Sequence, residues 1–285
     1  MSALNRRAFL VGLGAAITIP PTIATASVVR SFAAPAPVTG SAVAETVAAP
    51  APALMAAHGA TPPLLPPPPA SARLAPLDPG TLSRLPGQGD LLALTLDDGV
   101  DSNVVKAYAE FAKATGVRMT FFVNGIYRSW TDNASLLRPL VESGQIQLGN
   151  HTWSHPDLTK LSAAQIADEI RRNHTFLSTT FGVDPRPYFR PPYGRHNAEV
   201  RAAAADLGYS VTTLWSGSLA DSTVITEDYI VKMAETHFQP QNIVIGHLNH
   251  PPVTHVFDKL AGVVRTRGLR TVTFNDVFVR PPGLG

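Results

Sequence analysis

The 285-residue sequence contains no cysteine. That excludes disulfides, thiolate metal ligands, a cysteine nucleophile and a lipidated cysteine anchor. Charge is also scarce. Only 15% of residues are Asp, Glu, Lys or Arg, and the formal net charge is +2. No block of basic residues is present, so no nucleic-acid partner is expected. Long apolar runs are missing too. The run from Ala8 to Ile17 is interrupted by Gly12 and Gly14 and followed by Pro20-Pro21. It is too short for a stable membrane span. Between Ser27 and Gly87 the only aromatic residue is Phe32. No repeat of solenoid length is apparent.

What is present at the amino terminus has a recognisable layout. Asn5-Arg6-Arg7-Ala8-Phe9-Leu10 pairs two arginines with an apolar segment, and Ala24-Thr25-Ala26 offers small residues for a signal peptidase. Residues 1–26 are read as an export signal of the twin-arginine type. Residues 27–87 hold 13 of the chain's 26 prolines, including Pro66-Pro67-Pro68-Pro69. With so few large apolar groups they cannot offset the entropy of ordering a core. They are expected to form a disordered Pro/Ala spacer, dispensable for folding.

From residue 88 to 285 the pattern becomes globular. Apolar runs at Leu91–Asp97, Val117–Val123, Gln145–Gly149, Tyr209–Trp215, Asn242–His247 and Leu269–Phe274 read as strands. Amphipathic segments between them read as helices: Asp101 to Gly116, Ala134–Ser143 with its start delayed by Pro139, a segment opened by the capping box Ser162–Gln165, one capped by Asn197, Glu227–Phe238 and Val253–Arg267. Alternation of this kind implies an α/β fold with parallel strands and outer helices.

Four polar motifs fall just after strand ends, where a β/α barrel carries its site. Asp97-Asp98-Gly99 places two carboxylates at a sharp turn. Alone it is more often a polar turn than a site. His151-Thr152-Trp153-Ser154-His155 holds two imidazoles four residues apart. They can face one point and bind a divalent ion with Asp98 as third ligand, although lone histidines commonly serve as surface or capping groups. Thr152 rules out the His-Glu-x-x-His pattern. Arg190-Pro191-Pro192-Tyr193-Gly194 is a stiff loop that can aim Arg190 at Asp97 and fix the amide of Tyr193; the alternative is a structural turn. Ile245-Gly246-His247 ends a buried strand on a histidine. It can donate a proton if Asp221 is its partner, or simply sit at the rim. His250 and His255 are read as bland.

Together, in this order, Thr95-Leu96-Asp97-Asp98-Gly99, His151-Thr152-Trp153-Ser154-His155, Arg190-Pro191-Pro192-Tyr193-Gly194, the segment Trp215 to Asp221 and Ile245-Gly246-His247 closely resemble the polysaccharide deacetylase family, the NodB-like domain of carbohydrate esterase family 4. The resemblance implies a distorted β/α barrel over residues 88–285. It implies one divalent metal, zinc above all with cobalt as an alternative, held by Asp98, His151 and His155. It makes Asp97 the general base, Arg190 its orienting partner, the Tyr193 amide an oxyanion donor, His247 the general acid and Asp221 its tuning partner. Tyr193, Trp153 and Trp215 would contact the sugar. The implied partner is an acetylated polysaccharide, peptidoglycan or chitin-like, met outside the cell or in its wall by a monomeric enzyme. A periplasmic site applies if the cell has an outer membrane.

The sequence departs from the family pattern in two places. Val100 replaces the usual proline after Asp-Asp-Gly. Ser218 and Ser222 replace the first aspartate and the tryptophan of the usual Asp-x-x-Asp-Trp. The acetyl-sugar pocket is therefore expected to be either wider than usual or walled by a residue from elsewhere, such as Trp153 or Trp215. Two other functions stay open on the sequence: an O-deacetylase of acetylated xylan, and a catalytically silent wall-binding module that keeps the metal site.

Overall fold

The computed structural model describes residues 75–279. Residues 1–26, read above as an export signal, and most of those read as spacer lie outside the described residues. The strands are β1 (Gly80–Leu82), β2 (Leu91–Asp98), β3 (Met119–Val123), β4 (Ile146–Asn150), β5 (Tyr188–Phe189), β6 (Val211–Thr213), β7 (Gly217–Ser218), β8 (Ile243–His247) and β9 (Arg270–Thr271). They follow the spatial order β1-β6-β5-β4-β3-β2-β8-β7, with β9 paired to the start of β2. All these pairings are parallel. Most successive strands are joined through helices, as parallel pairing requires. The sheet curls into a half-barrel with helices outside, the parallel β/α architecture expected from the alternation.

The helices are α1 (Ser102–Thr115), α2 (Ser129–Asp132), α3 (Ala134–Glu142), α4 (Ala163–Phe181), α5 (Ala198–Ala205), α6 (Glu227–His237), α7 (Phe257–Thr266) and α8 (Phe274–Val277). Their ends follow local chemistry. Asp101 caps α1 by accepting from the amides of Asn103 and Val104, and Gly116 closes it at φ 76°. The Ser162–Gln165 capping box opens α4, and Gly182 ends it at φ 70°.

Strand β2 shows how the layers divide. Leu92 and Leu96 are buried in the larger core cluster, beneath the helices, and Leu94 packs against it. Ala93 faces the other way, into a cluster with Phe122, Tyr188 and Ile243. Thr95 and Asp97 share its face by the two-residue period of a strand. The base candidate thus points into the barrel because its strand's leucines must point out of it.

Four expectations need correction. Residues 75–86 are not spacer. Strand β1 extends the sheet beyond β6, Ala75 bridges to Phe278, and Leu85 is buried in the second cluster. Few apolar residues suffice here because neighbouring strands supply the core they join. The Leu269–Phe274 strand is only two residues long, because Thr273 and Asp276 form a capping box that opens α8. Arg118 grips that same Asp276 at 2.7 Å. Pro139 does not delay α3, which begins at Ala134 and contains the proline. The segment Val253–Arg267 begins as a 3-10 turn over Pro251–Val256 before α7.

Among the described residues no helix is long and apolar enough to cross a membrane.

Candidate active site

Strand ends bring the site together. The register pairs Asp97 with His247 across β2 and β8, and Asp98 with Val123 across β2 and β3. His151 follows β4 directly, and Arg190 follows β5. A strand's alternation would send Asp98 to the helix side, opposite Asp97. Its φ of 75° breaks the extended geometry, so both carboxylates reach one cavity. Gly99 completes the turn at φ 99°. A Cβ there would meet the Trp130 indole at 2.4 Å, so only glycine fits.

Thr152, His155, Tyr193 and Ala220 also have positive φ without being glycine. With Asp98 that makes five such residues on the loops of one site. Each costs on the order of 1–3 kcal/mol and persists only where surrounding bonds hold it. Asn150 and Asn173 supply those bonds for the histidine loop. Asn150 accepts from the Thr152 amide at 2.9 Å and donates to Tyr209 Oη at 2.9 Å. Asn173 donates to Asn150 Oδ1 at 2.9 Å. Asn124 donates to the carbonyls of His151 and Thr152.

Asp98, His151 and His155 form a three-residue cluster whose ligand atoms all lie within 4.8 Å of one another. Nε2 of each histidine is 3.4 Å from Asp98 Oδ1. His151 Nδ1 is 2.7 Å from the Arg190 carbonyl oxygen. A carbonyl can only accept, so Nδ1 carries a proton and Nε2 is the nitrogen turned to the cluster. Asp98 Oδ1 is buried and receives no hydrogen bond. An orphaned carboxylate oxygen facing two imidazole nitrogens is costly unless a cation completes the group. Two imidazoles, one carboxylate and an open cavity suit a catalytic zinc-type ion.

The electrostatics agree. Burial would raise the Asp98 carboxyl. The close approach and charge of His151, the charge of His155 and the hydrogen bond from the Asn249 amide outweigh it, and hold it well below the usual carboxylate range. Burial would lower His151, but the charges of Asp97 and Asp98 raise it. His155 is lowered to about 4 by burial and by its neighbour His151.

Arg190 is wholly buried. Its guanidinium donates to Asp97 Oδ1 at 2.6 Å, to Thr95 Oγ1 at 2.9 Å and to the carbonyls of Thr213 and Leu214 at 3.2 Å. It also lies 4.1 Å from the Phe122 ring centroid. That leaves Asp97 Oδ2 as the oxygen turned to the cluster, 3.5 Å from His151 Nε2. Across the cavity, His247 Nδ1 is 3.0 Å from Asp221 Oδ1, and its amide donates to Asp221 Oδ2 at 3.2 Å. Burial would lower His247, but the hydrogen bond and charge of Asp221 raise it. A carboxylate on Nδ1 leaves Nε2 for proton transfer.

The cavity measures about 400 Å³. Asp97, Asp98, His151, His155 and His247 line it together with Tyr193, Trp215, Ser218, Ser222 and Ile245. Trp215 packs against Gly194, where a Cβ would come within 2.9 Å of the indole. Trp153 does not line this cavity, contrary to expectation. Its ring packs on Phe176 with the Arg172 guanidinium 4.9 Å from its centroid, both from α4. His255 pairs with Glu227 at 2.7 Å, and His250 is 3.3 Å from the Ser222 carbonyl oxygen; neither lines the cavity. The sequence reading missed Asn249, whose amide contacts Asp98, and Thr95, which shares Arg190 with Asp97. Asn249 stands in no pattern that announces it, and Thr95 opens the Asp97-Asp98 motif without any sign of its role.

Comparison with known proteins agrees with this geometry. Residues 85–212 match the family model described as polysaccharide deacetylase. The chain is 29% identical over 187 residues to the peptidoglycan-N-acetylglucosamine deacetylase PgdA of Listeria monocytogenes. That match covers 66% of this chain and 38% of the Listeria protein, so the chain spans well under half of that relative. It is 31% identical over 190 residues to a chitin deacetylase of a Pestalotiopsis species, covering 64% of this chain and 61% of that one. The solved chitin deacetylase of Colletotrichum lindemuthianum superposes with a TM-score of 0.63 at 25% identity, covering 71% of this chain and 93% of that one.

Proposed function

Since this chain belongs to the polysaccharide deacetylase family, we propose that it is a metal-dependent hydrolase removing acetyl groups from an N-acetylated glycan such as peptidoglycan or a chitin-like polymer. The observation that carries this reading is the convergence of Asp98 Oδ1, His151 Nε2 and His155 Nε2 beside Asp97 and opposite His247. Those three atoms would hold one divalent ion, zinc by preference. Bound there, it would supply Lewis acidity toward water and the acyl carbonyl.

The chain's own residues account for the proton traffic. Arg190 holds Asp97 by Oδ1, so Oδ2 takes the proton from the attacking water. The water oxygen bonds to the acyl carbon, and negative charge grows on the carbonyl oxygen. The Tyr193 amide, set by a loop with φ 59° at that residue, is the donor assigned to that charge. His247 Nε2 gives its proton to the glycan nitrogen as the C–N bond breaks, releasing acetate and a free amine. Asp221 holds Nδ1–H throughout and favours the charged ring before transfer. Trp215 and Tyr193 flank the sugar. Ser218 and Ser222 leave room beside it.

Export fits the same reading. Residues 1–26 would direct secretion, and a spacer shortened to residues 27 to about 74 would let the domain reach a wall polymer. The substrates named for the Listeria and Pestalotiopsis relatives are extracellular or wall polymers, in keeping with this. The test is acetate release from N-acetylglucosamine oligomers and from peptidoglycan, with acetylated xylan alongside and a chelator-treated control. Release from the N-acetylated glycans that is lost on chelation supports the proposal. Release from xylan alone would make the protein an O-deacetylase, and no release from any would favour a silent binding module.

A further inference from the structure

The chain leaving β8 runs past the metal-ligand turn and is laced to it. The Leu248 amide donates to the Asp97 carbonyl at 3.0 Å, and the Asp101 amide donates to the Leu248 carbonyl at 3.2 Å. This places the next residue, Asn249, against Asp98. Its Nδ2 donates to Asp98 Oδ2 at 2.7 Å, and its Oδ1 accepts from the Val100 amide at 3.2 Å. Both ends of the amide are thus used. A flipped amide would set its oxygen against the carboxylate and its NH2 against an N–H, so the orientation is fixed. The two carboxylate oxygens of Asp98 are thereby made unequal: Oδ2 has a donor, whereas Oδ1 is buried, has none, and is the atom 3.4 Å from both imidazoles.

We infer that Asn249 is a positioning residue for the metal site, clamping Asp98 by Oδ2 so that Oδ1 is presented to the ion. The inference rests on the functional reading above. A neutral donor suits the task. It orients the carboxylate without cancelling the charge the ion needs, whereas an acid at 249 would set a second negative charge 2.7 Å away. It also ties the turn carrying base and ligand to the strand carrying His247, so three functional groups move as one unit. Partners that orient a metal ligand typically account for ten- to a hundredfold in metal affinity.

The test is zinc affinity, measured on the metal-stripped full chain by competition with a chromophoric chelator. Asn249→Ala should bind zinc ten- to a hundredfold more weakly than the wild type, while the metal-free forms unfold at the same temperature within about 2 °C. Should Asn249→Ala fail to fold, Asn249→Leu keeps the volume without a donor and is read the same way. His247→Asn, two residues away, should bind zinc like the wild type. Zinc affinity within threefold of wild type in the Asn249 variant would overturn the inference alone. Weak binding matched by an equally large drop in metal-free unfolding temperature would also overturn it, as a general packing role. A wild type that takes up no zinc would overturn the functional reading and this inference together.

Discussion

Arg190 holds two functional side chains at once: its carbonyl oxygen is 2.7 Å from His151 Nδ1, and its guanidinium is 2.6 Å from Asp97 Oδ1. One residue just after β5 therefore sets the tautomer of the candidate ligand His151 and the orientation of the candidate base Asp97. The stiffness of the following Pro191-Pro192 is what makes this possible, since the carbonyl and side chain must point in fixed, different directions.

Breaking that pair should be expensive. Arg190→Met fills the space but leaves Asp97, 3% exposed, without its cation. Removing one partner of a buried pair costs about 3–5 kcal/mol. Urea unfolding should show a loss of that size, with acetate release abolished. A loss under about 1 kcal/mol would mean the pair is not what holds Asp97.

Sequence alone made much of this legible. Asp97, Asp98, His151, His155, Arg190 and His247 sit where apolar strands stop, and a parallel β/α chain gathers such positions at one end. Side-chain direction was less legible. Trp153 lies within the histidine motif, yet positive φ at Thr152 and a berth on α4 turn it away from the cavity. Asn249 gives no signal, because an asparagine after a strand is ordinary turn chemistry. Residues 75–86 were hidden by their prolines. A three-residue strand has no periodicity to read, and its stability comes from β6 and from the core beneath Leu85.

The amino-terminal strand therefore gives a prediction opposite to what composition suggested. The Leu214 amide donates to the Leu82 carbonyl at 2.7 Å, and the Leu214 carbonyl accepts from Arg190. A chain beginning at Ala75 should unfold like the full-length protein. One beginning at Gln88 loses β1 and buried Leu85, and should lose at least the roughly 2–5 kcal/mol typical of deleting one buried leucine. Thermal unfolding of the two proteins checks this, and equal midpoints would restore residues 75–87 to the spacer.

Metal binding should weaken in acid, with His151 responsible first. Its pKa is raised, so protons compete at Nε2 from above its ordinary value near 6.5, whereas His155 stays neutral down to about 4. Zinc affinity should be level at high pH and fall about tenfold per unit once His151 protonates. Chelator competition from pH 5 to 9 measures it. An affinity flat across that range would show that His151 is not a ligand.

At the alkaline end the His247–Asp221 pair should govern activity. The Asp221 carboxylate raises the His247 pKa above its ordinary value, so kcat/KM should fall as pH rises through the raised value. Asp221→Asn removes the charge that raises it, so the falling limb should move to lower pH. The same pair contributes stability that is fully present below about pH 6.5, the unfolded value, and is lost as pH rises through the raised folded value. An unmoved limb in Asp221→Asn would assign the acid elsewhere.

The central claim is that two adjacent carboxylates divide the work, Asp98 holding the ion and Asp97 moving the proton. Zinc content of purified Asp97→Asn and Asp98→Asn, each set beside its acetate release, tests this most directly. The account predicts that Asp97→Asn stays zinc-loaded while losing activity by roughly a hundredfold or more, as for a general base. Asp98→Asn should lose the metal, because a neutral amide is a poorer ligand than a carboxylate. A zinc-free Asp97→Asn beside a zinc-loaded Asp98→Asn would contradict the account.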